Sequence, residues 1–103
     1  MEGWISVYRD LQNHWIWDSK EPFDKRSAWI DLLLMVNHKD SEINFDNGKM
    51  LVERGQRIIS LKKLAIRWKW SRHKVSDFLN RLELEHMLIQ VRDHKTTLIC
   101  MVN

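Results

Sequence analysis

A short segment in the second half of the chain carries the side chains that could do chemistry. Between Val75 and Leu82, apolar residues recur at helical spacing and predict one buried stripe. The polar side chains left on the other side of that predicted helix are Arg72, His73, Lys74, Ser76, Asn80 and Arg81. One acid, Asp77, lies among them. Cations and amides of this kind bind phosphates and base edges, so the pattern indicates contact with a nucleic acid.

The residue types suggest different roles within this group. Arg72 and Lys74 fall in the first helical turn, where the helix dipole disfavours cations. A turn that contacts DNA would tolerate this small cost, whereas the alternative is that both side chains are simply solvated. His73, Ser76 and Asn80 are the candidate base readers, and Asn80 is suited to adenine.

Further cations surround the predicted helix and could bind the phosphate backbone. Those near it are Arg81, Lys62, Lys63 and Arg67, with Arg54 and Arg57 a little earlier in the chain. Those in a later loop are Arg92, His94 and Lys95, which could contact the backbone or the minor groove. Phosphate contacts position a protein on DNA without reading its sequence. Each of these residues could instead be ordinary solvated surface.

The helix with the candidate base readers is the second of a predicted pair. The first helix has apolar residues at positions i, i+3, i+4 and i+7, namely Leu61, Leu64, Ala65 and Trp68. Ser60 and Ser71 stand where each helix needs an N-terminal cap. Two such helices with a tight turn between them predict a helix-turn-helix over residues 60–85. We expect Trp68 and Trp70 in the core rather than stacked on bases.

Two β-rich runs, residues 87–92 and 96–102, follow the helix pair. A hairpin in this place would be the wing of a winged helix, residues 87–102, and Ile58 with Ile59 could supply a third strand. The predicted fold class is therefore α+β, a winged helix-turn-helix. It would have a three-helix core, an N-terminal extension helix, a β-hairpin and the C-terminal wing.

The first half of the chain supplies the remaining elements. Residues 1–20 are expected to form an extended arm and a short helix, and Pro22 marks a loop. A further helix is predicted from Lys25 to about His38. Its wide apolar surface, typical of a central buried helix, would consist of Ala28, Trp29, Leu32, Leu33, Met35 and Val36.

A β-hairpin at residues 43–52 is the strongest local prediction. Asn47-Gly48 lies between two strand-forming runs, and this pair is preferred in two-residue type I′ turns. Gly55 falls in a second turn, where it can take a positive φ.

Three tryptophans near the start, Trp4, Trp15 and Trp17, are too large and apolar to be exposed without cause. One interpretation is that they cover the core of this domain. The other is that some form a self-association surface, because exposed aromatic patches usually mark contacts. The sequence allows both, so a homo-oligomer formed through this segment stays open.

The composition is that of one soluble domain over residues 1–103, with 44% apolar and 30% charged residues. No apolar run approaches the ~20 residues that span a membrane, and the start has no secretory pattern. Cys100 is the one cysteine, which excludes an internal disulfide and suits a reducing cytoplasm. We expect Cys100 to be a small apolar residue in a late strand.

Charge is divided unevenly between the two halves of the chain. Residues 1–53 contain 6 Lys and Arg against 10 Asp and Glu, a net charge of −4. Residues 54–103 contain 11 against 4, a net charge of +7. The positive half contains the predicted helix pair. A basic face that coincides with such helices is typical of nucleic-acid binding, because phosphate neutralisation releases counterions.

Metal binding and catalysis find little support in the sequence. The five histidines have no zinc-site spacing. Asp40, Glu42 and Asn44 alternate as in a calcium loop, but Phe45 occupies the position that requires glycine. Three scattered glycines cannot form a phosphate-binding loop. We therefore expect no enzyme activity, no cofactor and no metal.

Several segments resemble a known family: GWISVYRDLQNHWIWDS, AWIDLLLMVNHKD, VERGQRIISLKKLAIRWKWSRHKVSDFLNRLE and HMLI. Together they are similar to the N-terminal domain of phage replisome organisers of Gram-positive bacteria, the DnaD-like replication initiators. The resemblance covers residues 3–92 and is most specific at the Trp-x-Trp-Ser-Arg run. It implies a winged helix that binds double-stranded DNA at a replication origin, upstream of helicase loading, in the host cytoplasm at the nucleoid.

The chain departs from this family in three respects. Lys69 and His86 stand where the family often has glycine. If either position needs a positive φ, the side chain costs about 1 kcal/mol. The carboxy-terminal domain that the family associates with helicase contacts is not in this sequence. A phage transcriptional regulator of the same fold, or a winged-helix docking or oligomerisation module, are the alternatives.

Overall fold

Three α-helices and two antiparallel sheets form a small α+β domain in the computed structural model, which describes residues 3–17, 20–45, 48–92 and 96–102. The helices are α1 (Lys25–Met35), α2 (Leu61–Trp68) and α3 (Arg72–Leu84), and a short 3₁₀ helix spans Arg9–Asn13. The strands are β1 (Ser41–Phe45), β2 (Gly48–Val52), β3 (Gln56–Ile59), β4 (Leu88–Arg92) and β5 (Thr97–Met101). The predicted α+β class is confirmed.

Serine caps fix the starts of α2 and α3 as the sequence predicted. Ser60 Oγ accepts a hydrogen bond from the Lys63 backbone N–H at 3.3 Å, and Ser71 Oγ accepts one from Lys74 at 3.1 Å. Between the two helices, Lys69 has φ 60° and ψ 44°, a left-handed conformation that ends α2. The chain therefore turns within three residues, 69–71, and the apolar stripes of both helices face one core.

The core lies between the three helices and one face of the sheet β3-β5-β4. Its least exposed large side chains are Trp68, Leu32, Leu79, Leu88, Ile99 and Val75. Trp68 and Trp70 are 0% and 7% exposed, which confirms their expected place in the core. Ile58 and Ile59 lie in β3, the predicted third strand, and pair with Leu98 and Thr97 of β5.

Helix α1 is shorter than predicted, and its buried side is as predicted except at Leu33 and Leu34. It ends at Met35 rather than near His38, because Val36 adopts an extended backbone with φ −65° and ψ 152°. Leu34 is buried at 7% exposure, whereas Leu33, which was expected in the core, is 37% exposed. The wide apolar surface of this helix left its buried side ambiguous in the sequence.

The β1–β2 hairpin forms as predicted, but its turn lies one residue earlier, so the partner of each strand residue differs by two positions. Phe45 pairs with Gly48, so Gly48 belongs to β2 and the connection consists of residues 46–47. The predicted Asn47-Gly48 turn is therefore wrong in its placement, and residue 47 itself lies outside the described residues. Gly55 has φ 80°, which confirms the second turn.

The N-terminal segment packs less closely than the sequence suggested. Trp4 and Trp15 are 86% and 78% exposed, so the expectation that they cover the core is wrong. Trp17 is partly buried and donates its indole N–H to Asp31 Oδ1 at 2.9 Å. The short helix expected here is the 3₁₀ turn Arg9–Asn13.

Candidate nucleic-acid interface

The first turn of α3 presents three basic side chains to solvent, Arg72, His73 and Lys74. Lys74 Nζ lies 4.3 Å from the ring centroid of Trp70, a cation–π contact that orients the ammonium without neutralising it. Trp70 is fixed in turn, because its indole N–H donates to the Phe23 carbonyl at 2.7 Å. The position of Lys74 is thus set by the core beneath it.

Arg72 and Lys74 are also the two cations of α3 that have no acidic partner. Within the described ranges, no carboxylate oxygen lies within 4.0 Å of either side-chain charge. The helix dipole places a further partial positive charge at the same end. An anion approaching this turn would therefore meet a concentrated positive potential.

Two other basic side chains of α3, His73 in the first turn and Arg81 near the end, each have an acid at i,i+4 spacing. His73 Nε2 lies 3.1 Å from Asp77 Oδ2, and Arg81 Nε lies 3.5 Å from Glu85 Oε2, both at i,i+4 spacing. All four side chains are largely exposed, so these pairs contribute little to stability. Their effect is electrostatic, because Asp77 and Glu85 offset the basic side chains beside them, whereas Arg72 and Lys74 have no such acid among the described residues.

Asn80 belongs to a hydrogen-bond network that joins α3 to β4. Its Oδ1 accepts from Gln90 Nε2 at 2.9 Å and from Arg92 Nη2 at 3.1 Å. Gln90 is held by Glu83, which accepts from both its side-chain amide at 3.0 Å and its backbone N–H at 3.2 Å. A bidentate contact with adenine needs the amide oxygen as well as the amide nitrogen. In this arrangement the Asn80 oxygen already accepts two hydrogen bonds, so the adenine contact, which stays a prediction, would require those bonds to be exchanged.

Of the contacts predicted in the loop after β4, the structure describes Arg92. Its Nη2 also donates to Gln90 Oε1 at 2.7 Å, which places this cation beside α3. His94 and Lys95 lie outside the described residues. Ser76 is half-buried on α3, on the outer side of Val75.

Arg67 is engaged inside the domain, which removes it from the predicted phosphate contacts. Its Nε and Nη2 donate to Asp31 Oδ2 at 2.6 Å and Oδ1 at 2.9 Å, a bidentate pair. Asp31 is 0% exposed. Because a buried carboxylate needs this partner, Arg67 is a structural residue.

Asp31 connects three parts of the fold, and sequence reasoning missed it. Besides Arg67, its carboxylate accepts from Trp68 Nε1 at 2.8 Å, Gln12 Nε2 at 2.9 Å and Trp17 Nε1 at 2.9 Å. Burial favours a higher pKa for Asp31, but the hydrogen bonds from Arg67, Trp68, Gln12 and Trp17 outweigh it and lower the pKa. An acid in the apolar run Trp29–Met35 was the available signal.

The remaining cations near α2 divide into two groups. Arg57 and Arg9 donate to the Met35 carbonyl at 3.4 Å and the Val36 carbonyl at 3.2 Å, where they satisfy the end of α1. Lys62 and Lys63 are exposed, and among the described residues no carboxylate pairs with them. These two lysines, with Arg54, therefore stay candidates for phosphate contacts.

Comparison with family models, with curated proteins and with solved structures found no match for this chain. Across the described ranges, no group of three or more His, Cys, Asp or Glu side chains is arranged to hold a metal ion. No helix in the same ranges has the length and apolarity needed to cross a bilayer.

Proposed function

We propose that the domain is a winged helix-turn-helix that binds double-stranded DNA through the first turn of α3. The order of elements supports this fold, since α2 and α3 are joined by a three-residue connection, residues 69–71, and followed by the hairpin β4–β5. In this proposal α3 enters the major groove and the hairpin lies beside it as the wing. The tie from Asn80 to Gln90 and Arg92 would hold the wing strand in a constant position against α3.

The observation that carries the proposal is the pair of unneutralised cations at the start of α3. The other two basic side chains of that helix, His73 and Arg81, have carboxylates beside them. Arg72 and Lys74 have none among the described residues, and both lie at the helix end where their charges are least favourable to the fold. A polyanionic partner provides a reason for this placement.

We further propose that the domain acts as a DnaD-like replication initiator of a phage or prophage, recognising an origin upstream of helicase loading. Lys69 and His86 support this assignment. They were singled out as places where the resembling family often has glycine, and both have φ 60°. They are also the only non-glycine residues with positive φ in the described ranges. The backbone therefore has a glycine-like conformation at both positions.

A docking function is favoured by a different observation. Ile89 and Val91, which lie on one face of β4, are 50% and 54% exposed, although each is apolar. Exposed apolar side chains in a group are typical of protein contacts. We regard docking as an additional property of the domain, and it does not use the first turn of α3.

The DNA-binding proposal is tested by Arg72→Ala combined with Lys74→Ala. Binding to a duplex should weaken by about 1–3 kcal/mol, and the salt dependence should become shallower because fewer counterions are released. The measurement is fluorescence anisotropy of a labelled duplex over a series of salt concentrations. Thermal stability should stay nearly unchanged, since neither side chain is buried.

A matched control removes the same charge elsewhere. Lys39→Ala combined with Lys49→Ala also lowers the net charge by two, but both residues lie in the negative half of the chain and are exposed. This control should bind nearly as well as the wild type. Equal losses of affinity in both variants would mean that only the overall charge matters. Unchanged affinity of the α3 variant would mean that DNA does not bind at the first turn of α3.

The replication role has its own test, which is footprinting on the DNA around the gene that encodes this chain. A replication initiator should protect a set of repeated sites, and a plasmid that carries those sites should replicate only when the protein is supplied. Protection confined to a promoter, with no effect on plasmid replication, would favour the transcriptional alternative.

A further inference from the structure

A cavity of about 520 Å³ lies where the 3₁₀ helix, the end of α1 and the start of α2 meet. Its walls come from three segments of the chain, residues 9–13, 34–38 and 57–67. Sites for small molecules usually have volumes of roughly 300–1,000 Å³. No residue of α3 lines this cavity among the residues that the structure describes. It is therefore separate from the proposed DNA-binding turn and large enough for a small ligand.

The floor of the cavity is apolar. Four of its lining side chains are buried, namely Leu34, Val36, Ile59 and Leu64. The last three also belong to the core cluster, so the core holds this part of the wall in place. A preformed apolar wall of this kind suits the ring or hydrocarbon part of a ligand.

Two guanidinium groups lie side by side at the rim. Arg9 Nη2 donates to the Val36 carbonyl at 3.2 Å, and Arg57 Nη1 donates to the Met35 carbonyl at 3.4 Å. These carbonyls belong to consecutive residues, which brings the two positive charges close together. Neither guanidinium has a carboxylate oxygen within 4.0 Å among the described residues. Each arginine has five N–H donors, so donors remain for an anion beyond the single bond to a carbonyl.

The start of α2 adds positive charge to the same rim. Lys63 lines the cavity and is exposed, and no carboxylate pairs with it within the described ranges. Ser60, the cap of α2, lines it too, so the positive end of the helix dipole lies at this rim. A fourth cation, Arg67, is paired with Asp31. No Asp or Glu lines the cavity in the described part of the chain. Three like charges held together without an acid favour an anionic ligand.

Side-chain amides complete the wall. Gln12 and Asn37 line the cavity, and both are held by bonds elsewhere in the fold. Gln12 Nε2 donates to Asp31 Oδ1 at 2.9 Å, and Asn37 Nδ2 donates to Ser41 Oγ at 2.9 Å. Fixed amides of this kind can form hydrogen bonds with hydroxyl groups or with the polar edge of a ring.

We propose that this cavity binds a free nucleotide, a nucleoside di- or triphosphate. Its phosphates would lie among Arg9, Arg57 and Lys63, and its base and sugar on the apolar floor beside the amides. A nucleoside diphosphate carries roughly three negative charges at neutral pH, which matches the three cations. Inorganic phosphate would leave the floor uncovered, and an uncharged ligand would leave the cations unpaired. The proposal goes beyond DNA binding and does not depend on it.

Isothermal titration calorimetry of the whole chain, without DNA and at physiological salt, tests the proposal. The probes are ADP, GDP, CDP and UDP, each by itself, with pyrophosphate as the probe that has the charge but no ring. At least one nucleotide should bind with a dissociation constant below about 1 mM, and pyrophosphate should bind at least about tenfold more weakly. If pyrophosphate bound as well as every nucleotide, or if no nucleotide bound at several millimolar, the proposal would be overturned.

A cavity variant, Arg57→Gln with Lys63→Gln, removes two of the three charges and keeps amide donors in their place. It should raise the dissociation constant of the best-binding nucleotide by about tenfold or more. The matched control is Arg54→Gln with Lys62→Gln, which loses the same two residue types from exposed positions outside the cavity. It should bind the nucleotide as the wild type does. Equal losses in the two variants would mean that the basic segment as a whole attracts the nucleotide, which would overturn the assigned site.

Folding of the cavity variant is checked separately, because Arg57 also contacts the end of α1. Circular dichroism and urea unfolding should match the wild type. Lys63→Gln alone leaves that contact intact and should still weaken nucleotide binding by about threefold or more. Full nucleotide affinity in this single variant would exclude Lys63 from the site and overturn the proposal.

Two further measurements distinguish a free nucleotide from the phosphates of bound DNA. The variant Arg72→Ala with Lys74→Ala should bind the nucleotide normally, since both residues lie outside the cavity. A duplex should not displace the nucleotide from the wild type. If the duplex displaced it, and the cavity variant lost as much affinity for duplex as for nucleotide, the cavity would belong to the DNA contact and the proposal would be wrong.

Discussion

Arg67 and Arg72 are five residues apart in the chain, yet they belong to regions with opposite chemistry. Arg67 reaches inward to Asp31, a carboxylate 36 residues away in the sequence that is 0% exposed. Arg72 reaches solvent and has no carboxylate within 4.0 Å among the described residues. The two arginines show that neighbouring cations of one basic segment can have different roles, depending on whether the fold brings an acid from elsewhere in the chain beside them.

The difference has an energetic consequence. A buried carboxylate is tolerated only when its partners are present, so the Asp31 region contributes to stability in a way that is lost when one partner goes. The first turn of α3 contributes little to folding, because its charges are exposed and unpaired. Substitutions in the first region should therefore change stability, and substitutions in the second should change affinity for DNA.

The largest expected effect is that of Arg67→Ala, which leaves the Asp31 carboxylate buried without its cation. Loss of one member of a buried ion pair costs about 3–5 kcal/mol, a large part of the stability of a small domain. Urea unfolding followed by circular dichroism measures the loss. Arg72→Ala is the matched control, since it removes the same side chain five positions later and should change stability by less than ~0.5 kcal/mol. Similar losses of stability in both variants would contradict the different roles assigned to Arg67 and Arg72.

The sequence was sufficient to predict local features of this region. Ser60 and Ser71 were recognised as caps, and the buried stripes of α2 and α3 followed from helical spacing, because both depend on residues within one or two turns. The role of Arg67 could not be predicted in the same way. It depends on Asp31, and no local pattern links positions on different helices.

The same distinction explains the other corrections. The β1–β2 hairpin has Phe45 opposite Gly48, a register that differs from the local preference for an Asn-Gly turn. Leu33 and Leu34 are chemically alike, and only the position of α1 against its neighbours decides which is buried. The exposure of Trp4 likewise follows from the absence of a facing surface within the described chain.

The stability that the Asp31 carboxylate contributes should depend on pH, which gives a second test of its structural role. Its hydrogen bonds lower the pKa of Asp31 below the ordinary value of 3.8, so its contribution to stability is present above that value. The contribution should decline as the pH falls through the lower pKa of the folded state, where the carboxylate takes up a proton. Unfolding of the wild type and of Asp31→Asn from pH 7 to pH 2 measures it.

The wild type should be the more stable protein at neutral pH, and the difference should shrink steadily below about pH 4. Asp24, whose pKa is lowered by hydrogen bonds from Ser27 at the start of α1, titrates in the same range. It is present in both proteins, so its effect cancels in the comparison. If the stability difference between the two proteins stayed constant down to pH 2, protonation of Asp31 would not contribute to acid unfolding.

The smallest expected effect comes from the two left-handed residues that bound the α3 segment. His86→Gly should stabilise the domain by about 0.5–1 kcal/mol, because glycine adopts φ 60° without strain but loses more entropy on folding. Lys69→Gly should gain less, since the Lys69 ammonium donates to the Lys20 carbonyl and glycine would lose that bond. His86→Ala keeps the Cβ atom and should gain nothing. An equal gain of stability from alanine and from glycine would mean that loss of the imidazole, and not the backbone conformation, is the cause. Position 86 would then no longer support the family resemblance.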